Sequence, residues 1–116
     1  MWEQAFGGTG QDLAFAVKQT ADGGYVVGGY SKSGQSGNKA TEGYGGEDFW
    51  LIKVDRDGIK QWERTFGGPG EDRMSDLLLT TDGGYLLGGY SNSSTGGSKT
   101  APTFGGEEIW LVKVDA

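Results

Sequence analysis

Two acidic glycine loops come nearest to a metal-binding motif in this chain. Residues 7–12 are Gly-Gly-Thr-Gly-Gln-Asp, and residues 67–72 are Gly-Gly-Pro-Gly-Glu-Asp. Both fit the first part of the calcium-binding nonapeptide, which binds its ion by stacking copies about nine residues apart. The two loops here lie 60 residues apart. We therefore favour loops in which Asp12 and Asp72 cap their own backbone amides over a calcium site.

Neighbouring acidic residues are the other candidates for chemistry. Glu47-Asp48 and Glu107-Glu108 form pairs, and glycosidases use two carboxylates as acid and nucleophile. Successive side chains on a strand point to opposite faces, so neither pair is expected to converge on one bond. Solvent-exposed strand ends are the better interpretation. No metal site is favoured, and the carboxylates kept as metal candidates are Asp12, Asp72, Glu47 and Glu107.

The composition argues against several classes of function. The 116 residues include no histidine and no cysteine, so the commonest general base, the commonest zinc ligand and any thiolate are missing. The net charge is −6 and the ten basic residues are scattered, whereas nucleic-acid binders cluster lysine and arginine. No long apolar run predicts a membrane span. We expect no enzymatic activity, no cofactor, no nucleic-acid partner and no membrane partner.

The segments that must position these residues recur along the chain. Residues 1–56 and 61–116, aligned without a gap, are identical at 27 of 56 positions. The most similar segments, 22–31 and 82–91, share Asp-Gly-Gly-Tyr and Gly-Gly-Tyr-Ser around two aliphatic residues. A fixed period of this kind is the signature of stacked units that cannot bury their apolar faces alone. The sequence therefore predicts two units, residues 1–56 and 57–116.

Alternating apolar residues and Asp-Gly turns predict antiparallel strands, and no helical periodicity is present. Each unit is expected to be a four-stranded meander with strands A, B, C and D. Strands A to D are expected at residues 13–20, 25–31, 49–55 and 59–66, and strands A to C recur at residues 74–80, 85–91 and 109–115. Strand D at 59–66 therefore opens the second unit, 57–116, in sequence. Residues 2–6 predict a further D-like strand. Serine- and glycine-rich loops separate B from C at residues 32–44 and 92–104.

Three segments resemble the bacterial SBBP-type β-propeller repeat. Residues 66–72 carry a glycine pair followed by acidic residues, residues 81–91 carry an Asp-Gly hairpin ending in Gly-Tyr, and residues 110–115 form an apolar strand ending in Lys-Val-Asp. The resemblance covers nearly the whole chain outside the serine and glycine loops. It implies propeller blades in an extracellular or cell-surface scaffold of a bacterium or archaeon, with no shared enzymatic activity. Members of the family usually hold many repeats, often taken as seven blades, whereas this chain holds two.

The predicted fold class is all-β, with two four-stranded propeller blades per chain and a ring completed by oligomerisation. A four-stranded sheet that needs cover on both faces is typical of a propeller blade. Residues 2–6 of one copy are expected to pair with residues 109–115 of the next, which gives six blades in a trimer or eight in a tetramer. We favour the trimer, because small residues such as Gly28 and Ala14 suggest tight packing. The residues expected at this interface are Trp2, Phe6, Ile109, Trp110, Leu111, Val112 and Val114.

The expected function is that of a non-enzymatic structural or interaction scaffold. The alternative is a lectin-like propeller that binds a ligand through its long-loop side, with or without calcium. In a meander of this order the B-to-C loops and the D-to-A loops emerge on the same side. That side is expected to collect the acidic loop residues together with the aromatic residues Tyr44 and Phe104.

Overall fold

The computed structural model describes residues 1–115, and this part of the chain is all-β. Seven strands form two antiparallel sheets, ordered β1-β2-β3-β4 and β5-β6-β7. The first sheet contains β1 (Asp12–Gln19), β2 (Tyr25–Ser31), β3 (Asp48–Val54) and β4 (Lys60–Phe66). The second contains β5 (Asp72–Leu79), β6 (Tyr85–Ser91) and β7 (Glu108–Val114). In residues 1–115 no helix is long and apolar enough to cross a membrane.

The prediction of antiparallel strands is confirmed. The predicted strands 25–31 and 85–91 coincide with β2 and β6, and β1, β3, β4, β5 and β7 begin and end within two residues of their predicted bounds. The predicted unit boundary at residues 56–57 divides the hairpin between β3 and β4, which are hydrogen-bonded neighbours. The boundary between the sheets therefore lies at residues 67–71. Ala116, the last residue of the predicted second unit, lies outside the described residues.

In the Asp-Gly hairpins, the aspartate and the glycine have different structural roles. Gly23 takes φ of +85° and Gly83 takes φ of +84°, and in residues 1–115 every positive φ belongs to glycine. Asp22 keeps ordinary dihedrals, and its carboxylate accepts the Gly24 amide at 2.9 Å. The turn therefore needs glycine for the backbone and aspartate for the hydrogen bond, rather than positive φ at both positions.

Residues 2–6 and the end of β5 lack cover that β3 has within the chain. Residues 2–6 form no strand, because in residues 1–115 no neighbouring segment pairs with their backbone and they instead lie across the first sheet. The continuous apolar run at the end of β5, residues 77–79, is covered on one face only. Leu77 is buried, but Leu78 and Leu79 are exposed, since only one face of β5 meets the other sheet.

The main core lies between the two sheets. One face of the first sheet packs against the facing side of the second, and a smaller cluster lies on the opposite face of β3. The buried residues of the main core are Val26, Phe49, Leu51, Met74, Leu77, Tyr85, Leu87, Trp110 and Val114. Burial of apolar surface is the dominant favourable term in folding, so this cluster is central to the stability of the chain.

Candidate functional site

The contact between the two sheets, which we call the internal junction, has an aromatic and aliphatic centre. The rings of Phe49 and Trp110 lie 4.9 Å apart between their centroids, a distance at which aromatic pairs attract. Gly28 admits the side chain of Met74, because a Cβ at Gly28 would lie only 2.6 Å from the Met74 sulfur. Trp62 of β4 packs edge-on against Tyr85 at 5.6 Å. The second sheet is thus covered by the first sheet and by its outermost strand.

Polar contacts join residues 46–47 to residues 70–73 at one end of the internal junction. The Gly46 amide donates to the Gly70 carbonyl at 3.1 Å, and the Asp72 amide donates to the Glu47 carbonyl. Arg73 donates from Nε to the Glu47 carboxylate at 2.8 Å. Burial alone would raise the pKa of Glu47, but its hydrogen bonds with Glu71 and Arg73 hold the pKa below its usual value. This ion pair joins the loop before β3 to the start of β5.

Arg73 is itself held by two tyrosines. Its guanidinium lies 5.3 Å from the ring centroid of Tyr30 and 5.9 Å from that of Tyr90, and Nη1 donates to the Tyr90 hydroxyl at 2.8 Å. Hydrogen bonds with Glu47 and Tyr90 raise the pKa of Arg73 above its usual value. The planar guanidinium therefore meets residues from both sheets at once, which a lysine ammonium does less well.

The opposite face of the first sheet is open, and we call it the groove. It encloses a cavity of about 580 Å³ whose walls are mostly apolar. Phe6 packs on the Trp50 cluster of β3, and the Trp2 ring lies 6.2 Å from that of Tyr25. Trp2 and Phe6 take on the first sheet the places that Trp62 and Phe66 take on the second. Further lining residues are Leu13, Ala14, Val17, Val27, Ile52 and Val54.

The second sheet also has an open face, which we call the knob face. Ile109 is 86% exposed and Leu111 is 62% exposed, although both lie within strand β7. The outer edge of β7 has no strand beside it in residues 1–115, whereas β4 covers the corresponding edge of β3. An exposed apolar patch and an unpaired strand edge are features through which β-sheet proteins associate.

The sequence analysis assigned seven residues to a contact between copies, and the structure divides them. Trp110 and Val114 are buried in the internal junction, and Val112 packs against the same cluster. Their side chains point towards the first sheet because side chains alternate along β7. Ile109 and Leu111 point the other way and form the knob face. Trp2 and Phe6 lie at the groove.

The metal candidates Asp12 and Asp72 are occupied by hydrogen bonds within the chain. Asp72 accepts the Ser91 hydroxyl at 2.6 Å, the Ser93 hydroxyl at 2.9 Å and the Gly68 amide at 3.0 Å. Asp12 accepts the matching groups, the hydroxyls of Ser31 and Ser33 and the amide of Gly8. In residues 1–115 no group of three or more acidic, histidine or cysteine side chains is arranged to hold a metal ion. Each aspartate fastens its glycine loop to the strand that follows the hairpin.

Glu47 and Asp48 were expected to be exposed, and that prediction is wrong. They are 2% and 1% exposed, because the loop that precedes β3 is pressed against residues 70–73. Burial, followed by the nearby Asp72 carboxylate, raises the pKa of Asp48 to about 6, although the Tyr44 amide and Lys39 act against this rise. In the described residues, Asp48 Oδ1 is buried without a hydrogen-bond partner. Of the remaining acidic candidates, Glu107 is exposed.

Sequence analysis missed two buried lysines in the long loops. Lys39 and Lys99 are nearly inaccessible, and their ammonium groups lie 5.5 Å and 5.9 Å from the ring centroids of Trp50 and Trp110. Lys39 Nζ donates to the Thr41 carbonyl at 2.7 Å. The available signal was the identity of these lysines in loops that otherwise match only at Ser33/Ser93 and Gly37/Gly97. They are anchors that hold each loop over its strand.

Comparison with known proteins adds no identification to this geometry. No protein-family model matches the chain, and no curated protein matches its sequence. Residues 1–115 form two antiparallel sheets of four and three strands. The groove, the knob face and the internal junction are the features of these sheets that bear on function.

Proposed function

We propose that the chain is a non-enzymatic scaffold whose two sheets are blades of a β-propeller and whose copies associate head to tail into a ring. The observation that supports this proposal is a correspondence between surfaces. The groove and the knob face carry apolar residues at the repeat positions that form the two sides of the internal junction. A surface pair of this kind, placed at opposite ends of one chain, generates a cyclic oligomer when its rotation closes.

The knob face matches the side of the first sheet that enters the internal junction. Ile109 and Leu111 occupy the positions of Phe49 and Leu51, which are fully buried. Gly88 corresponds to Gly28, which faces Met74 in the internal junction, whereas the groove carries the smaller Ala14 at the position of Met74. Ile109 and Leu111 are therefore the knob-face residues that correspond to buried residues of the internal junction.

The groove matches the other side of the internal junction. Tyr25 and Trp50 line it, and their counterparts Tyr85 and Trp110 belong to the main core. Val17 stands in place of Leu77, which is fully buried. Seating the knob face of a second copy in the groove would cover both surfaces with apolar partners.

The free edge of β7 gives the same arrangement a backbone component. Residues 62–66 of β4 pair with β3, and residues 2–6 are their counterparts one unit earlier. Residues 2–6 already lie at the groove, so docking would bring them beside β7 of the neighbouring copy. Adding a strand to an open edge satisfies amides and carbonyls that otherwise bond only to water.

A trimer with six blades is the preferred ring, and a tetramer with eight blades is the alternative. The close fit of Met74 against Gly28 supports tightly packed sheets, which suits the smaller ring. The resemblance to SBBP-type repeats supports a bacterial or archaeal scaffold at the cell surface. A calcium-assisted binder on the long-loop side has weaker support, because Asp12, Asp72 and Glu47 already accept hydrogen bonds within the chain.

The mass of the particle in solution tests the proposal. Light scattering coupled to size exclusion should give about three times the 12.3 kDa of the chain, or four times for the tetramer. Leu111→Asp places a charge on the knob face and should prevent association. Ile59→Asp, at an exposed apolar residue outside both surfaces, is the matched control and should leave the mass unchanged. A folded particle of 12.3 kDa at micromolar concentration would contradict the proposal.

A further inference from the structure

We propose that copies of the chain dock in a single register, in which Glu107 of one copy faces Leu13 of the next. In that register the contact between copies lacks the ion pair of the internal junction and is the weaker of the two. This inference rests on the proposed function and names the partner residues of its interface. It also predicts which substitution would strengthen the assembly.

The internal junction defines the geometry. Its polar end is the Glu47 carboxylate, which Arg73 contacts from both Nε and Nη2. The Glu47 side chain is 2% exposed and takes its hydrogen bonds from the guanidinium, whereas the Arg73 side chain is 41% exposed. The Tyr30 ring lies against the same guanidinium. One end of the junction therefore consists of a carboxylate, a guanidinium and an aromatic ring.

The residues at the matching repeat positions predict the corresponding contact between the groove and the knob face. Leu13 stands in place of Arg73, and each is the second residue of its strand and pairs with a tyrosine, Tyr30 or Tyr90. Glu107 stands in place of Glu47, directly before β7, the strand that carries the knob face. Leu13 lines the groove and Glu107 is exposed, so neither is engaged in the internal junction.

The loop before β7 is free to make the remaining contacts. Gly45 and Gly46 lie against residues 68–71, so that a Cβ at Gly45 would meet Pro69 and the Gly68 carbonyl. Their counterparts Gly105 and Gly106 have open space around them. In the proposed register the Gly106 amide faces the Gly10 carbonyl of the next copy, as the Gly46 amide faces Gly70 within the chain.

Position 13 gives this contact its distinct chemistry. Docking takes the Glu107 carboxylate out of water, and a leucine opposite it supplies no compensating charge or donor. The same step inside the chain is compensated by Arg73. The missing guanidinium therefore favours the two sheets of one chain as the tighter pair. Arginine at position 13 should restore the pair.

A double-mutant cycle tests the register on the full 116-residue chain. Association constants are measured by sedimentation velocity over a concentration series for the parent, Leu13→Arg, Glu107→Gln and the double variant. We expect Leu13→Arg to tighten association roughly twofold to fivefold, the size of a single partly exposed ion pair. The gain should vanish in the double variant and shrink at high salt. Leu13→Met is the matched control, with a longer side chain but no charge, and should show no coupling to Glu107→Gln.

A second cycle, in which the two charges are exchanged, tests the register even if one variant of the first cycle does not fold. Leu13→Glu should weaken association by like-charge repulsion, and Glu107→Arg should restore it in combination. Association without coupling in either cycle would overturn the register while leaving the scaffold proposal in place. A parent chain that stays monomeric at every concentration would overturn the scaffold proposal and the register with it.

Discussion

The two sheets carry nearly the same strands in different surroundings. Phe49 and Leu51 on β3 are fully buried, whereas Ile109 and Leu111 at the same positions of β7 are 86% and 62% exposed. The residue types differ little, so hydrophobicity does not explain the contrast. What differs is the presence of a sheet beyond the first one and none beyond the second in residues 1–115. Burial in a stacked array is a property of the neighbour as much as of the residue.

The faces that carry Trp50 and Trp110 also differ in how they are covered. Trp110 is covered by the first sheet and by β4, while Trp50 is covered by Phe6 from a segment that forms no strand. The Trp2 indole donates to the Arg56 carbonyl at 2.9 Å, and Asn38 donates to the Ala5 carbonyl at 2.8 Å. Residues 2–6 therefore hold their place by side-chain contacts. They correspond in sequence to residues 62–66 of β4 but have no ladder partner in residues 1–115.

The largest effect should come from removing the buried member of a matched pair. Phe49→Ala should lower the free energy of unfolding by about 3–5 kcal/mol, because it leaves a cavity against Trp110. Ile109→Ala should change it by less than about 0.5 kcal/mol at concentrations where the chain is monomeric. Urea unfolding followed by tryptophan fluorescence measures both. Equal losses in the two variants would mean that the knob face is already covered.

Asp48 of the first sheet and Glu108 of the second occupy matched positions, and we expect them to change the free energy of unfolding with pH in opposite directions. The pKa of Asp48 is about 6 in the folded chain against an ordinary 3.8, so the folded state binds the proton more tightly. Its contribution, on the order of 2–3 kcal/mol, is fully present below about pH 4 and is lost as the pH rises through about 6. Asp48→Asn should flatten this part of the stability profile and raise stability at pH 8.

Glu108 has the opposite sign and serves as the control. Hydrogen bonds from the Thr103 hydroxyl and the Phe104 amide lower the pKa of Glu108 below its ordinary 4.5. Its contribution is present above that value and is lost as the pH falls. Glu108→Gln should therefore leave the profile between pH 5 and 7 unchanged. A profile that responds to Glu108→Gln and not to Asp48→Asn would contradict the burial assigned to Asp48.

A smaller difference is expected between the matched tryptophans Trp62 and Trp2. Trp62→Ala should cost about 2 kcal/mol because the side chain is partly buried against the main core. Trp2→Ala should cost about 1 kcal/mol in the monomer, since Trp2 is exposed over nearly half its surface. Thermal unfolding at low and high protein concentration measures both. If residues 2–6 form the clasp between copies, only Trp2→Ala should also reduce the dependence of Tm on concentration.

The smallest effect should be that of calcium on either glycine loop. A site that binds calcium a hundredfold above its dissociation constant would stabilise the fold by about 2.7 kcal/mol and raise Tm by several degrees. We expect a shift below about one degree with calcium and with chelator, because serine hydroxyls and backbone amides already hold Asp12 and Asp72. A large calcium-specific rise that disappears in Asp12→Ala/Asp72→Ala would favour the metal-assisted binder instead.

Local chemistry explains which parts of the fold could be predicted. The strands followed from alternation and the hairpins from Asp-Gly, since both signals act within a few residues. The repeat located the matched positions without any structure. Asp55 illustrates the point, because its carboxylate accepts the amides of Asp57 and Ile59 at 2.8 Å and 2.9 Å inside a single turn.

The polar part of the internal junction could not be predicted in this way. Glu47 and Arg73 are 26 residues apart, and no local pattern connects them. The burial of Asp48 likewise depends on residues 67–72, which reach it only when the sheets stack. Lys39 gave a sequence signal through its identity with Lys99, but the tryptophan beneath it became visible only in three dimensions.

The sequence by itself determined the strands, the turns and the sixty-residue period, because each is encoded in neighbouring residues. Only the tertiary structure decided which of two equivalent faces is buried and whether residues 2–6 form a strand. Burial and strand pairing both require a partner that is distant in sequence, and a repeat offers the same partner at more than one place. Ile109 and Phe49 have equivalent positions in the sequence, and the sheet that stacks against Phe49 is what makes them different.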